Sequence, residues 1–148
     1  MDSGIEIDFL LVADRAEVIN GKLYAMGAAW DRIGVADFSK PMPLSVAVGV
    51  LVPWTATNQP HAVALTLRDA DGVAVDFRVD ASFVTGRPPF LNGEVQRVLL
   101  AIPATSVVLP GPGNYVLAAA IDGTEMKVVR FSATAAPPAG PPPPTPPG

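Results

Sequence analysis

Apolar residues recur along this chain in runs of strand length, and each run is bounded by Gly, Pro, Asn or Asp. Within the runs apolar residues tend to alternate with polar or small ones, and none follows a helical period. The runs cover residues 5–13, 23–30, 44–52, 62–67, 73–79, 95–102, 115–121 and 126–131. This pattern predicts an all-β domain of about eight strands.

The last two runs carry the clearest architectural signal. A Pro/Gly corner at residues 109–114 precedes Tyr115 at the start of a strand, and a tight Asp-Gly turn at 122–123 precedes the next strand. This order is typical of an Ig-like or related Greek-key β-sandwich, in which the Tyr hydroxyl bonds back to the corner backbone. We predict that role for Tyr115 and a type I′ turn that uses Gly123.

The hairpin that contains Gly72 can be predicted down to its register. Placing both apolar rows on one face requires Leu65 opposite Phe77, which leaves a three-residue loop with Gly72 at positive φ. The same register places Arg68 diagonal to Asp76, close enough for a weak surface ion pair.

The other two hairpins are less constrained. A two-residue turn at 122–123 pairs Ala119 with Met126, and Phe131 then falls out of phase, so we expect a bulge near Val129. For the hairpin around residues 20–21, two registers remain open.

Composition divides the chain into a folded part and a tail. Of the 148 residues, 137–148 include eight prolines and no charge, and such sequence stays extended and packs no core. We therefore expect a β-sandwich domain at 1–134 and a disordered Pro-rich tail at 135–148. The tail is either a passive spacer or a ligand for an aromatic groove.

Several classes of function are disfavoured by composition and charge. The chain has no cysteine, its amino terminus lacks the basic region of a signal peptide, and its longest apolar run, 46–52, is too short to span a membrane. The net charge is −4 and the ten basic residues are scattered, which argues against nucleic acid as a partner. We expect a soluble cytoplasmic protein without nucleic-acid or membrane partners.

Two features mimic reactive sites without completing them. His61, the single histidine, has no Ser or carboxylate at a diagnostic spacing, so an exposed residue at a strand end is the simpler interpretation. Residues 69–72 mimic the start of a calcium loop, but the closing Glu is missing and the hairpin turn already explains them. We predict no catalytic residues, no metal site and no cofactor.

Candidate binding residues occur first as two acid-base pairs. Asp14-Arg15 and Asp31-Arg32 end adjacent apolar runs, and Trp30 precedes the second pair. If the runs pair as a hairpin, these charges share one end of the sandwich, where a guanidinium could hold a carboxylate ligand. The alternative is an ion-pair network that seals the sandwich end.

Two loops add aromatic candidates. Trp54 lies among small and polar residues after one run, and Phe90 follows two prolines in another loop. Loop aromatics stack sugars or anchor protein partners, although they also plug open sandwich ends.

The chain also resembles a bacterial family of short all-β proteins of unknown function. The resemblance is carried by the Ala-Asp, Gly-Lys-Leu and Trp-Asp-Arg elements within residues 9–14, 20–27 and 30–33, and by the corner and turn at 110–115 and 121–123. It covers roughly residues 5–134. The resemblance supports the fold and implies no active site.

These observations favour a non-catalytic protein-binding or assembly module. Its partner would be another protein or a further copy of the same chain. Its contact region would be one loop end that combines Trp54, Phe90 and the Asp-Arg pairs. One alternative is a small-ligand or carbohydrate-binding accessory domain with Trp54 as the stacking platform. Others are a phage structural or decoration protein, located in the virion, and an enzyme that uses Asp14, Asp31 or His61.

Overall fold

The computed structural model of the chain describes residues 4–90, 92–136 and 146. These residues form a 3-10 turn at Trp54–Ala56 and the strands β1 (Glu6–Ile19), β2 (Lys22–Ala28), β3 (Arg32–Val35), β4 (Met42–Val52), β5 (His61–Asp69), β6 (Ala74–Phe83), β7 (Gln96–Val107), β8 (Gly113–Ile121) and β9 (Thr124–Ala135). The strand order is β2-β1-β4-β7 in a four-stranded sheet and β3-β9-β8-β5-β6 in a five-stranded sheet. The predicted all-β sandwich is confirmed, with nine strands in the described residues.

The predicted tail lies almost wholly beyond this range. Strand β9 continues to Ala135, and the Ala136 N–H donates to Val35 O over 2.9 Å. Residues 137–145 and 147–148 lie outside the described residues. Nowhere in the described part is there a helix long and apolar enough to cross a membrane.

The core lies between the two sheets and is built from alternate residues of the strands. In β4, Val46, Val48 and Val50 face the core and are completely buried. Leu65 of β5 and Ile121 of β8 are the largest completely buried side chains of the opposite sheet. Because β4 lies between β1 and β7, it forms the centre of its sheet.

Strand β3 was not predicted. Its four residues pair in parallel with the end of β9, from Arg32 beside Ser132 to Val35 beside Ala135. The Ser132 N–H also donates to Asp31 O over 2.8 Å. A four-residue strand on a sheet edge is too short to show a hydrophobic period, so only its pairing reveals it.

The two hairpin turns predicted around glycines are confirmed. Gly72 has a φ of +83°, and the Asp69 carboxylate holds the loop by accepting the Asp71 and Val73 N–H groups, each at 2.9 Å. In the β8–β9 turn, φ is positive at residues 122 and 123, as a type I′ turn requires.

The β1–β2 hairpin resolves the register that the sequence left open. Ile19 faces Lys22 across a two-residue turn in which Asn20 and Gly21 have φ values of +50° and +73°. This is again type I′ geometry, which matches the twist of the flanking strands.

The predicted register of β5–β6 is partly wrong. Leu65 faces Val79 instead of Phe77, because a bulge between Thr66 and Arg68 shifts the pairing by two residues. A shift of two keeps the same side chains on the core side, so the hydrophobic pattern could not reveal it.

The predicted bulge of β8–β9 exists but in another place. Ala119 faces Lys127 and not Met126, so the extra residue is Met126 and not a residue near Val129. A bulge at Met126 turns the Phe131 side chain into the core, and a bulge near Val129 would do the same. The orientation of Phe131 therefore does not show where the bulge lies.

The predicted corner is confirmed around Tyr115. The buried Tyr115 hydroxyl donates to Gly111 O at 2.5 Å and accepts the Gly111 N–H at 3.3 Å. The Tyr115 ring stacks on Phe131 at a centroid distance of 5.8 Å, and Trp30 meets Phe131 edge-on at 5.5 Å. These contacts close this end of the sandwich.

The opposite end is closed by His61, which is buried and not exposed as the sequence suggested. Its Nε2–H donates to Ala56 O and its Nδ1 contacts an Asp122 carboxylate oxygen, both at 2.7 Å. The second Asp122 oxygen accepts the Ala62 N–H at 2.9 Å. Since a carbonyl and an ionised carboxylate only accept, both ring nitrogens carry protons when the two bonds coexist.

The pKa values of this pair move in opposite directions. Burial disfavours a charged His61, but its bond to Ala56 and the bond and charge of Asp122 outweigh burial and raise the pKa of His61 above 6.5. Burial also disfavours a charged Asp122, but its bonds from His61 and Ala62, together with the charge of His61, lower the pKa of Asp122 below 3.8. The ion pair is therefore stable at mildly acidic pH.

Replacing Tyr115→Phe should lower the free energy of unfolding by about 1 kcal/mol, since the corner loses a hydrogen bond while ring packing is kept. Chemical denaturation measures this. The matched control is Tyr24→Phe, whose exposed ring lies on β2 and should leave stability unchanged. Equal effects of the two substitutions would contradict the corner's role.

Replacing Asp122→Asn should cost about 1 kcal/mol of unfolding free energy at pH 5.5, because Asn keeps the turn but removes a half-exposed charge. The raised pKa of His61 stabilises the fold fully below its unfolded value of about 6.5, and this contribution is lost as pH rises through the folded pKa. The lowered pKa of Asp122 stabilises the fold above its unfolded value of about 3.9, and this contribution is lost as pH falls through the folded pKa.

Unfolding of Asp122→Asn and of the wild-type chain should therefore be measured by denaturant titration from pH 4 to 9. The difference should shrink towards alkaline pH. Asp71→Asn, in the exposed β5–β6 loop, serves as the control and should show no such trend. A difference that stays constant with pH would exclude the charged pair.

Candidate functional site

The predicted binding residues do not share one end of the sandwich. Trp54 lies near the start of β9, where His61 binds the 3-10 turn, and the loop that carries Phe90 reaches Trp54 through Arg87. The Asp31 carbonyl, in contrast, accepts the Ser132 N–H near the end of β9. At about 3.3 Å per residue, a strand of this length keeps the two groups more than 20 Å apart. The predicted single loop end with aromatics and both Asp-Arg pairs is therefore wrong.

Asp14 and Arg15 lie on the β1–β2 hairpin. The Asp14 carboxylate lies against the backbone of Gly27, which has a φ of +57°, and a Cβ at Gly27 would collide with it. Arg15 Nη2 bonds to Glu17 Oε1 at 2.9 Å, with both side chains exposed. Arg15 thus has a partner on its own strand.

Asp31 and Arg32 line a groove of about 530 Å³ on the five-stranded sheet, together with Arg68 and Arg130. Arg68 bonds to Glu125 at 2.7 Å, and not to Asp76 as predicted, because Glu125 lies across β8 on the same face. Within residues 4–90 and 92–136, Arg32 and Arg130 form no ion pair. The groove therefore offers two guanidinium groups.

Trp30 lies behind this groove and is half-buried. Its ring packs against Phe131, as described above, and its indole N–H is buried without a hydrogen-bond partner in the described structure. Trp30 thus serves mainly to close the core.

Trp54 is covered on one ring face. The Arg87 guanidinium lies 4.4 Å from the ring centroid, donates to Thr57 Oγ1 at 2.6 Å and to Trp54 O at 3.1 Å. This contact blocks one of the two faces on which a sugar could stack. Phe90, in contrast, is 78% exposed.

A larger feature, the outward surface of the four-stranded sheet, was not predicted from the sequence. Residues that alternate with the core residues are also apolar or small here. We call this the outer apolar face; its members are Phe9, Leu11, Ala13, Ala28, Ala47, Gly49, Leu51, Leu99, Ala101 and Pro103.

The strand registers place these side chains side by side. Phe9, Gly49 and Leu99 form one row across β1, β4 and β7, and Leu11, Ala47 and Ala101 form the next. The Phe9 ring lies over Gly49 so closely that a Cβ there would collide with it.

Burial confirms that the face is a packed layer of its own. Ala13 and Ala47 are completely inaccessible to solvent, yet neither belongs to the core cluster between the sheets. A signal for this was present in the sequence, because residues 44–52 are apolar at both odd and even positions, as in a strand covered on both faces.

Among the described residues, charges occur at the borders of this face, where Glu6 lies opposite Leu51. Arg97 Nε bonds to Asp8 Oδ2 at 2.8 Å, so this pair bridges β7 and β1 across β4 at one border. Arg15 and Glu17 form the pair at the other border. No group of three or more His, Asp or Glu side chains suited to a metal ion occurs among the described residues.

Comparison with known proteins gives a family and two distant similarities to solved structures. None of the curated proteins matches the chain. Among solved structures it is similar to the alkylpurine DNA glycosylase AlkC of Pseudomonas fluorescens, bound to DNA containing an abasic site analog, with a TM-score of 0.46 and 12% identity. It is also similar to a β-glucuronidase from glycoside hydrolase family 2, with a TM-score of 0.41 and 14% identity.

Both comparisons cover 90% of this chain, which spans only 31% of the glycosylase chain and 11% of the glucuronidase chain. Residues 8–134, in contrast, match a single family throughout, and that range includes all nine strands except the ends of β1 and β9. The chain belongs to DUF6941, a family of unknown function.

Proposed function

We propose that this chain is a non-catalytic protein-binding module and that the outer apolar face is its contact surface. The observation that carries the proposal is the uncharged, closely packed layer on the solvent side of β1, β4 and β7. Cores of protein interfaces are likewise depleted of charge, whereas their borders are polar.

The size of the face supports this proposal. Three strands about 4.8 Å apart and three rows of side chains about 6.8 Å apart cover roughly 300 Å². Apolar patches of a few hundred Å² on soluble proteins are frequently interaction sites. The continuous apolar sequence of β4 fits a strand that is covered on its outer side as well.

The test is photo-crosslinking of the full chain in extract of its source organism. A benzophenone amino acid in place of Leu99 should crosslink to a protein, since Leu99 lies in the middle of the outer apolar face. The same amino acid in place of Val128, on the outward side of the five-stranded sheet, is the control and should give no product. Products at both positions, or at neither, would contradict the proposal.

A second candidate function is binding of a small carboxylate ligand in the groove of the five-stranded sheet. Arg32 and Arg130 line it without a partner among the described residues, together with the polar side chains Asn114 and Ser132 and the carboxylates of Asp31 and Asp69. Paired guanidinium groups bind carboxylates through charge-assisted hydrogen bonds.

Isothermal titration with a short dicarboxylate such as succinate measures this second candidate. Arg130→Gln should weaken binding about tenfold, which corresponds to the loss of one charge-assisted bond. Arg78→Gln, whose guanidinium pairs with Asp80 outside the groove, should not. Absence of heat with the wild-type chain would remove this candidate.

A further inference from the structure

We infer that the occupant of the outer apolar face is a second copy of this chain, packed face to face about a twofold axis parallel to β4. The inference rests on the proposed function and identifies the protein partner. In this arrangement β4 lies over the partner's β4, and β1 of each copy lies over β7 of the other.

Charge complementarity is the first reason for this axis. Asp8 on β1 and Arg97 on β7 stand on opposite sides of β4 at the same border of the face. A twofold axis along β4 exchanges these sides, so each Asp8 meets the Arg97 position of the other copy. The border charges of two copies thus alternate in sign, which favours this register and disfavours like-charge contacts.

The shape of the face is the second reason. Phe9 lies flat over Gly49 instead of projecting from the sheet, and Ala47 and Ala101 beside it are small. The surface along β4 is therefore low, and two such sheets can approach to the spacing of about 10 Å that packed sheets adopt. The same axis places Leu11 of one copy near Ala101 of the other, a large residue over a small one.

The contact area sets the strength of the dimer. The β1–β2 hairpin lies beyond the partner's β7, which is an edge strand, so its exposed side chains Tyr24 and Met26 stay outside the contact. The roughly 300 Å² of β1, β4 and β7 lie below the about 600–1,000 Å² per partner of stable interfaces, so we expect a weak dimer.

The overall charge of the chain permits self-association. The net charge is −4, but the two border pairs sum to zero, and Glu6, opposite Leu51, adds one negative charge close to Arg97. Charges elsewhere on the two copies are screened over about 8 Å at physiological ionic strength. Repulsion between copies is thus weak at this face.

The first test is sedimentation of the full chain between 1 and 200 µM. The wild-type chain should reach twice its mass of 15.3 kDa, whereas Leu99→Lys should raise the dissociation constant at least about thirtyfold by placing a charge within the contact. Val128→Lys, on the other sheet, should dimerise like the wild-type chain. A wild-type chain that stays monomeric at 200 µM would overturn the inference.

A charge exchange tests the axis without altering the apolar layer. Arg97→Asp alone and Asp8→Arg alone should each weaken self-association about tenfold, because each replaces an opposite-charge contact between the copies with a like-charge contact. An equimolar mixture should form heterodimers with near wild-type affinity. Failure of the mixture to recover, with both variants folded by circular dichroism, would overturn the proposed axis.

The crosslinking experiment separates this inference from the proposed function. A Leu99 product with the mass of two chains supports the second copy. A Leu99 product with a different protein, together with a monomeric chain in sedimentation, would overturn the second copy and keep the protein-binding function. A monomeric chain without any crosslinked product would overturn both.

Discussion

The fold depends on a strand that must be shielded from water on both sides. Strand β4 places Val46, Val48 and Val50 towards the core and Ala47 and Gly49 outward, so neither of its faces is polar. Such a strand is stable only at the centre of a sheet, with β1 and β7 on its flanks. The five-stranded sheet covers the inner side of β4, and on its outer side the neighbouring side chains bury Ala47 and Gly49 but leave Leu51 partly exposed.

The two ends of the sandwich are closed by different chemistry. At one end the Tyr115 hydroxyl and the stacked rings of Phe131 and Trp30 fasten the corner. At the other end the imidazole of His61 joins the 3-10 turn to the β8–β9 turn through a charged hydrogen-bond pair. The aromatic, histidine and carboxylate side chains at the two ends thus hold strands together, and the proposed contact surface is instead a sheet face.

This distribution explains why the candidate residues were only partly foreseen. Trp54 was a reasonable binding candidate as a loop aromatic, but Arg87, 33 positions away, covers one side of its ring. The outer apolar face consists of residues that each look ordinary, such as Ala47 and Leu99. Only the order of the strands brings these residues into one surface, and a single strand does not disclose its neighbours.

The sequence by itself determined the features that depend on local backbone preference. Gly72 and the turn at 122–123 require positive φ, and Tyr115 follows a Pro/Gly corner, so the turns and the corner bond could be derived from a few adjacent residues. The all-β class followed from the strand-length apolar runs. The tertiary structure alone decided the bulges, strand β3, the burial of His61 and the separation of the two Asp-Arg pairs from Trp54. These features depend on contacts between residues far apart in the chain, and the alternation of apolar residues is the same for registers that differ by two.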